Sequence, residues 1–192
     1  CWHPGLSVVA SCRMCLVEAG QKDAATGKIA MQPRLVPACQ TPAKDGTVFI
    51  TNSKKVIDAR AMVEEDLLLR HPVDCPICDK GGECPLQNLT MAHGPGKSRF
   101  IYDEKLHLDK MVPLGELIYL DRERCIQCAR CIRFQDEIAG DSVIGFDERG
   151  RFTQIITNSE PGFDSVFSGN TTDICPVGAL TTADFRFGAQ PV

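Results

Sequence analysis

Aromatic residues are scarce: they make up 6% of the chain, with one Trp and two Tyr. A core built on large rings is therefore excluded, and small domains with little core need other staples, metals among them. No apolar run approaches the ~18 residues of a membrane span. There is no excess of positive charge, since the net charge is -4 over 192 residues and no long basic tract occurs. That balance argues against nucleic acid as the main partner. Neither a G-x-G-x-x-G loop nor a P-loop is found, so no site for NAD, flavin or a small organic substrate is visible. The first residue is Cys1 rather than Met, and the chain reads as a fragment of a longer one. The lack of a targeting segment therefore excludes nothing.

The most informative absence is a single cysteine. RCIQCARCIRFQDE (Arg124–Glu137) carries Cys125, Cys128 and Cys131 at intervals of two residues, but Gln135 stands where the motif C-x2-C-x2-C-x3-C-P has its fourth cysteine. In two-cluster ferredoxins that fourth cysteine ligates the other cluster. The partner of the triad should then be a distant Cys-Pro, and Cys175-Pro176 in TDICPVGAL fits. Laid backwards from Cys175, the same motif puts its other three cysteines at Ser165, Ser168 and Thr171. One site therefore keeps all four ligands (Cys125, Cys128, Cys131 and Cys175), and the other has lost all four. The stretch reads as a two-cluster fold reduced to one 4Fe–4S cluster.

Two further groups precede it. HPVDCPICDKGGEC holds His71, Cys75, Cys78 and Cys84 in the pattern H-x3-C-x2-C-x5-C. Three thiolates and an imidazole suit a 4Fe–4S cluster or a zinc ion. Gly81 and Gly82 let that loop curl so that backbone N–H groups approach the sulfurs. The first group, Cys1, Cys12, Cys15 and Cys39, follows C-x10-C-x2-C-x23-C. Its close pair and remote fourth member agree with the plant-type 2Fe–2S motif, but its first gap is six residues longer than in that motif. Eleven cysteines and His71 make twelve ligands, enough for three sites with none left over.

Other readings of these residues stay open. Sets of four cysteines, or of three cysteines and one histidine, are common structural zinc sites, although those usually come as two well-separated pairs. Disulfides alone cannot use an odd number of cysteines. Cysteine–histidine catalysis lacks any visible base or oxyanion arrangement. His3, His93 and His107 read as surface or structural residues, with His93 in a flexible HGPG stretch. Arg124, Arg130 and Arg133 read either as charges tuning the third group or as a solvated face or interface.

The local pattern predicts an α+β chain. Short strands are expected in CLVEA, in KIAMQ to RLVPAC after a turn at Ala25–Lys28, and in GTVFITN. Ser53 is placed to cap a helix running to about Arg70, with Val56, Ala59, Val63 and Leu67 on its inner face and Lys54, Lys55, Glu64 and Glu65 towards water. Residues 71–96 read as loop, 97–112 show little pattern, ELIYLD reads as a strand, and SVIGFDERGRFTQIIT as a hairpin turning near ERGR.

With all three groups in place, CWHPGLSVVASCRMCLVE, HPVDCPICDKGGECPLQ, LDRERCIQCARCIRFQDEI and FSGNTTDICPVGAL together resemble the large iron–sulfur subunit of NADH:quinone oxidoreductase, respiratory complex I. The resemblance covers nearly the whole chain. It implies a β-grasp 2Fe–2S domain over 1–53, a helix and a 4Fe–4S segment with one His and three Cys ligands over 54–112, and a ferredoxin-like 4Fe–4S domain over 113–192. It also implies that the long gap after Cys1 is normal and that His71 is the histidine ligand. The expected role is transfer of electrons from NADH and FMN in a partner flavoprotein subunit towards quinone. The expected partners are that subunit and others of the hydrophilic arm. The expected location is the cytoplasmic face of a bacterial inner membrane, or the mitochondrial matrix side. The same module resembles parts of iron-only hydrogenases and NAD-dependent formate dehydrogenases, which commonly keep both clusters of the ferredoxin-like domain. The changes at Gln135, Ser165, Ser168 and Thr171 favour complex I.

Overall fold

The computed structural model describes residues 1–159 and 162–187. Strand β1 (Leu16–Lys22) is the axis of the first part. Its Val17 and Ala19 are buried at alternate positions, as the period of a strand with one covered face requires. β2 (Ile29–Met31), β3 (Val36–Pro37) and β4 (Thr47–Ile50) all pair with it antiparallel. Gly20 and Gln21 pair with both β2 and β4, so those two strands lie on opposite edges. The expected turn at 25–28 is present. Gly27 takes φ +68°, and the Gly27 and Asp23 N–H groups close it on Asp23 and Lys28.

Helix α1 (Lys54–Arg70) begins where Ser53 accepts a hydrogen bond from the Val56 N–H at 3.3 Å. Val56 is buried and Lys54 pairs with Asp58 at 2.6 Å on the outer face. Glu64 departs from the expectation: it is 0% exposed rather than turned to water. The reason is a second helix, α2 (Pro85–His93), in the stretch expected to be loop. Pro85 sits at the start of α2, where a missing N–H costs nothing. The Thr90 hydroxyl of α2 donates to Glu64 Oε2 at 3.2 Å. His93 accordingly ends a helix rather than lying in a loop.

The last part holds two small sheets. β5 (Val112–Pro113), β6 (Ile118–Leu120) and β9 (Leu180–Thr182) pair antiparallel in that order. β7 (Ile144–Asp147) and β8 (Gln154–Thr157) form the expected hairpin. α3 (Arg130–Phe134) runs into a π-helical turn, Gln135–Ala139, closed by Gly140 at φ +67°. α4 (Asn170–Ile174) leads directly to Cys175. The core joins Leu114, Ile118, Leu120, Ile144, Ile155, Phe163, Val177 and Leu180 with Cys84 and Leu86 of the preceding segment, and Leu67 of α1 packs against it. Leu67, Cys84 and Leu86 thus share one apolar centre with the last part of the chain. Among the described residues no helix is long and apolar enough to cross a membrane.

Candidate metal centres

The first group is assembled around the start of β1. The Ala38 N–H donates to the Cys15 carbonyl at 2.9 Å, which brings Cys39 alongside Cys15. The Cys12 N–H points at Cys1 Sγ at 3.5 Å. The approach loop turns back through Ala10 and Arg13, both in the left-handed region at φ 51° and 63°. The Cys39 thiol is pushed up chiefly by burial, then by the hydrogen bond and charge of Cys15 and the charge of Cys12. All four cysteines of this group are half-buried.

His71 follows the last turn of α1, its N–H capping Leu67 O at 3.4 Å. Burial pulls its ring down to a pKa of about 4, against a hydrogen bond to the Arg124 backbone and the charges of Asp121 and Asp74. The imidazole is therefore neutral at physiological pH. Its Nδ1 is buried without a hydrogen-bond partner. A neutral ring with one nitrogen on a backbone group and the other unspent is the arrangement of a metal-ligating histidine. His71, Cys75 and Cys84 line one cavity of about 390 Å³ with Leu68, Leu86 and Thr90. Cys75 opens a short 3-10 turn, Cys78 ends it, and Cys84 stands at the N-cap of α2. Burial raises the Cys78 thiol, whose charge is coupled to that of Cys84 and offset by Arg124. Gly81 is required here, because a Cβ would stand 2.7 Å from the Cys75 carbonyl oxygen.

Cys125, Cys128, Cys131 and Cys175 line a single small cavity walled by Leu120, Ile126, Ile155, Val177 and Leu180. The loop curls because Gln127 and Ala129, between the cysteines, both adopt left-handed backbone (φ 54° and 57°). Burial pushes the Cys125 thiol up to about 12 and the Cys131 thiol well above its ordinary range, and neighbouring cysteines push the same way. Backbone N–H groups of Val177, Leu180 and Ala179 favour the Cys175 thiolate. A dry pocket of four thiols carries four negative charges only around a cationic centre, and inward N–H donors complete the compensation. The residues thus fit a thiolate-bound metal cluster. None of the eleven cysteines forms a disulfide.

Gln135 and Thr171 are 0% exposed, and Ser168 and Ser165 are also buried. Both amide atoms of Gln135 lack a partner, while the Thr171 hydroxyl donates to Ser168 O at 2.5 Å. Buried hydroxyl and amide side chains thus stand where the motif would have four thiolates.

Several contacts join the groups, and the spacing of cysteines carried no sign of them. The Cys84 thiol points at Pro176 O at 3.7 Å, and Gly178 lies so close to Cys78 that a Cβ would fall 2.2 Å from its Sγ. The segment that follows Cys175 therefore touches the second group too. Arg124 is 2% exposed and Arg133 8%, so neither belongs to a solvated face. Arg124 is held by Asp74 and Asp121 beside His71 and Cys78. Among the three remaining histidines, His107 bonds Glu123 at 3.0 Å and His3 accepts the Gly5 N–H at 3.2 Å, both structural contacts.

This mixed α/β architecture and its cysteine loops define an iron–sulfur protein with a ferredoxin-like 4Fe–4S domain. Residues 115–181 match the family described as NADH-quinone oxidoreductase subunit 3, ferredoxin-like domain, and residues 60–99 the NADH-ubiquinone oxidoreductase-G iron-sulfur binding region. The chain belongs to the family of G-type subunits of NADH-quinone oxidoreductase and their 75 kDa counterparts. It is 45% identical to the G-type subunit of Streptomyces coelicolor over 193 aligned residues, covering 100% of this chain and 22% of that one. It is 43% identical to the 75 kDa subunit of Reclinomonas americana, covering 99% and 26%, and 44% identical to subunit 3 of Thermus thermophilus, covering 99% and 27%. The chain thus spans about a quarter of the length of these curated relatives. Its fold is similar to a chain of an NAD+-reducing NiFe-hydrogenase crystal structure, with TM-score 0.78 and 30% identity over 98% of this chain and 76% of that one.

Proposed function

We propose that this chain is an electron-transfer segment of an NADH:quinone oxidoreductase, holding one 2Fe–2S and two 4Fe–4S clusters. Cys1, Cys12, Cys15 and Cys39 hold the first, in a β-grasp unit over 1–53. His71, Cys75, Cys78 and Cys84 hold the second within 54–112. Cys125, Cys128, Cys131 and Cys175 hold the third, in the ferredoxin-like unit over 113–192. The observation that carries the reading is the spacing of eleven cysteines and His71 in three groups of four, the last of which lines one cavity. When bound, such clusters supply reversible one-electron chemistry, and the chain supplies their positions and potentials.

The residues divide that work. Buried thiolates of the third set exclude water, and the N–H groups around Cys175 raise the potential of whatever they ligate. His71 replaces a thiolate by a neutral ring, which removes one negative charge and raises the potential of the second set. The segment Cys175–Gly178 holds the second and third sets against each other. Arg124, paired with Asp74 and Asp121, holds positive charge next to the second. The partners in this reading are a flavoprotein subunit that oxidises NADH and other subunits of a peripheral arm. That arm would lie on the cytoplasmic face of a bacterial membrane, or on the matrix side of the mitochondrial one.

A second reading is an electron-entry module of a hydrogenase, which the hydrogenase-like fold favours. The higher identities to the NADH-quinone oxidoreductase relatives and the loss of the four ligands at Gln135, Ser165, Ser168 and Thr171 weigh against it. A zinc-stapled module fits the spacing less well, since structural zinc ligands usually come as two well-separated pairs, whereas Cys125, Cys128 and Cys131 form a compact triad with a remote Cys175-Pro176. The deciding measurement is iron and acid-labile sulfide on anaerobically prepared protein, with EPR of the reduced form. About ten irons per chain and separate 2Fe–2S and 4Fe–4S signals are expected. Three zincs without sulfide would overturn the proposal.

A further inference from the structure

Arg133 lies on α3 two residues past Cys131. Every hydrogen bond of its guanidinium goes to a main-chain carbonyl. Nε donates to Ala129 O at 3.1 Å, Nη1 to Ser7 O, and Nη2 to Cys1 O at 2.8 Å and Cys128 O at 3.2 Å. One nitrogen thus bridges a residue of the first set and a residue of the third. The surrounding contacts clamp the same two segments together. Arg130 donates to Trp2 O at 2.6 Å and to Ile174 O at 3.4 Å, and Glu137 accepts from the Ser7 N–H at 2.8 Å and from the Ser7 hydroxyl. Among the described residues no carboxylate stands within ion-pair distance of Arg133; Glu137 feels its charge but is turned to Ser7. A cation that is 8% exposed and bonded only to neutral carbonyls is costly unless negative charge lies close by. The cysteine thiolates of the first and third sets, to whose backbone Arg133 is bonded, would supply that charge when they hold clusters.

We infer that Arg133 is a positioning residue that couples the first and third sets. It fixes their separation, provides the hydrogen-bonded route Cys1 C=O···Nη2···O=C Cys128, and holds both potentials up by its charge. The inference rests on the reading of these sets as clusters. Clusters held by Cys1, Cys12, Cys15 and Cys39 and by Cys125, Cys128, Cys131 and Cys175 would supply one-electron exchange between the two sets, one being oxidised as the other is reduced. No bond forms or breaks and no proton moves, because the guanidinium stays charged throughout. A cation stabilises the more negative, reduced state, so its removal shifts both potentials downward. The fixed fork of the guanidinium reaches four carbonyls from three nitrogens, which the single ammonium of lysine cannot match, so a lysine keeps the charge and loses the bridge.

The test uses Arg133→Met and Arg133→Lys in the full-length protein within its complex, with dithionite as the one-electron reductant. Iron content and EPR of the unaltered protein test the underlying reading independently of either variant. Arg133→Met is expected to lower the midpoint potentials of the first and third clusters in EPR redox titrations. It is also expected to weaken the magnetic interaction between them and to slow electron exchange several-fold, with the second cluster unchanged. Arg133→Lys is expected to restore the potentials and not the exchange rate. Full iron content with unaltered potentials and exchange in Arg133→Met would overturn the inference. Should Arg133→Met lose iron, Arg133→Lys decides: potentials retained with slower exchange support the bridge, and behaviour identical to the unaltered protein rules it out.

Discussion

Gly178 shows how little space separates the segment after Cys175 from Cys78. A methyl group there would overlap Cys78 Sγ at 2.2 Å and touch Lys80 at 3.4 Å. Backbone on one side and a ligand sulfur on the other cannot both relax, so overpacking falls on the second set. Gly178→Ala is expected to lose iron from the second set before the third and to cost about 1–3 kcal/mol of stability. Gly96→Ala, where nothing lies within 4 Å of the added atom, serves as control. Iron per chain and thermal unfolding of the two variants check this, and equal behaviour would remove the close packing from the account. That Cys125, Cys128, Cys131 and Cys175 share one cavity was legible from spacing, because cysteine intervals along the chain report loop geometry. Gly178 was not, since its neighbour Cys78 is remote in the chain and a glycine's tolerance of close approach carries no local mark.

Among the elements, α1 was legible to within a residue. Ser53 caps it, the apolar spacing marks its inner face and Pro72 follows its end. α2 was hidden because Pro85 and the Gly-Pro run after His93 read as loop punctuation, although proline is at home in a first helical turn. Missing α2 also misplaced Glu64. A carboxylate on a helix reads as solvent-facing, and only tertiary packing against Thr90 buries it. Burial raises the Glu64 pKa, and Oε1 has no partner. The folded state thus favours the neutral acid. Its stabilising contribution is complete below the ordinary value near 4.5 and is lost as pH rises through the raised folded value. Glu64→Gln is therefore expected to be more stable than the unaltered protein at neutral and alkaline pH, with the difference shrinking as pH falls towards 4.5. Thermal unfolding of both proteins from about pH 5 to about pH 8 checks this, and a difference independent of pH would show that desolvation of Glu64 is not the cause.

For the whole molecule, thiols take the place that aromatic side chains fill elsewhere. Cys84, Cys131 and Cys175 are themselves members of the apolar core, alongside Phe163 and Ile118. Burial disfavours the thiolate forms of Cys131 and Cys175 there, so in the proposed reading metal binding and folding share one free energy. Stripping iron with a chelator under reducing conditions is expected to abolish the cooperative thermal transition of residues 67–187 and the near-UV circular dichroism. Much of the far-UV signal of α1 should remain. A sharp transition in the iron-free chain would show that the core stands without its clusters. The mixed helix-and-strand content and the ferredoxin-like part were readable from the sequence, whereas the shared core was not, because it arises from contacts between segments that no periodicity links.

The segment from Cys175 to Leu180 also bears on biosynthesis. It supplies the last thiol of one set, abuts two sulfurs of another and continues into the strand that completes the β5–β6–β9 sheet. On a ribosome, residues 71–131 emerge with seven prospective ligands exposed and neither pocket closed. The pocket of the third set can shut only when residues up to Leu180 have cleared the exit tunnel, since Cys175, Val177, Ala179 and Leu180 line it. On the proposed reading the nascent chain has to be kept reduced over that whole interval, and loading of the third set is a late event in synthesis.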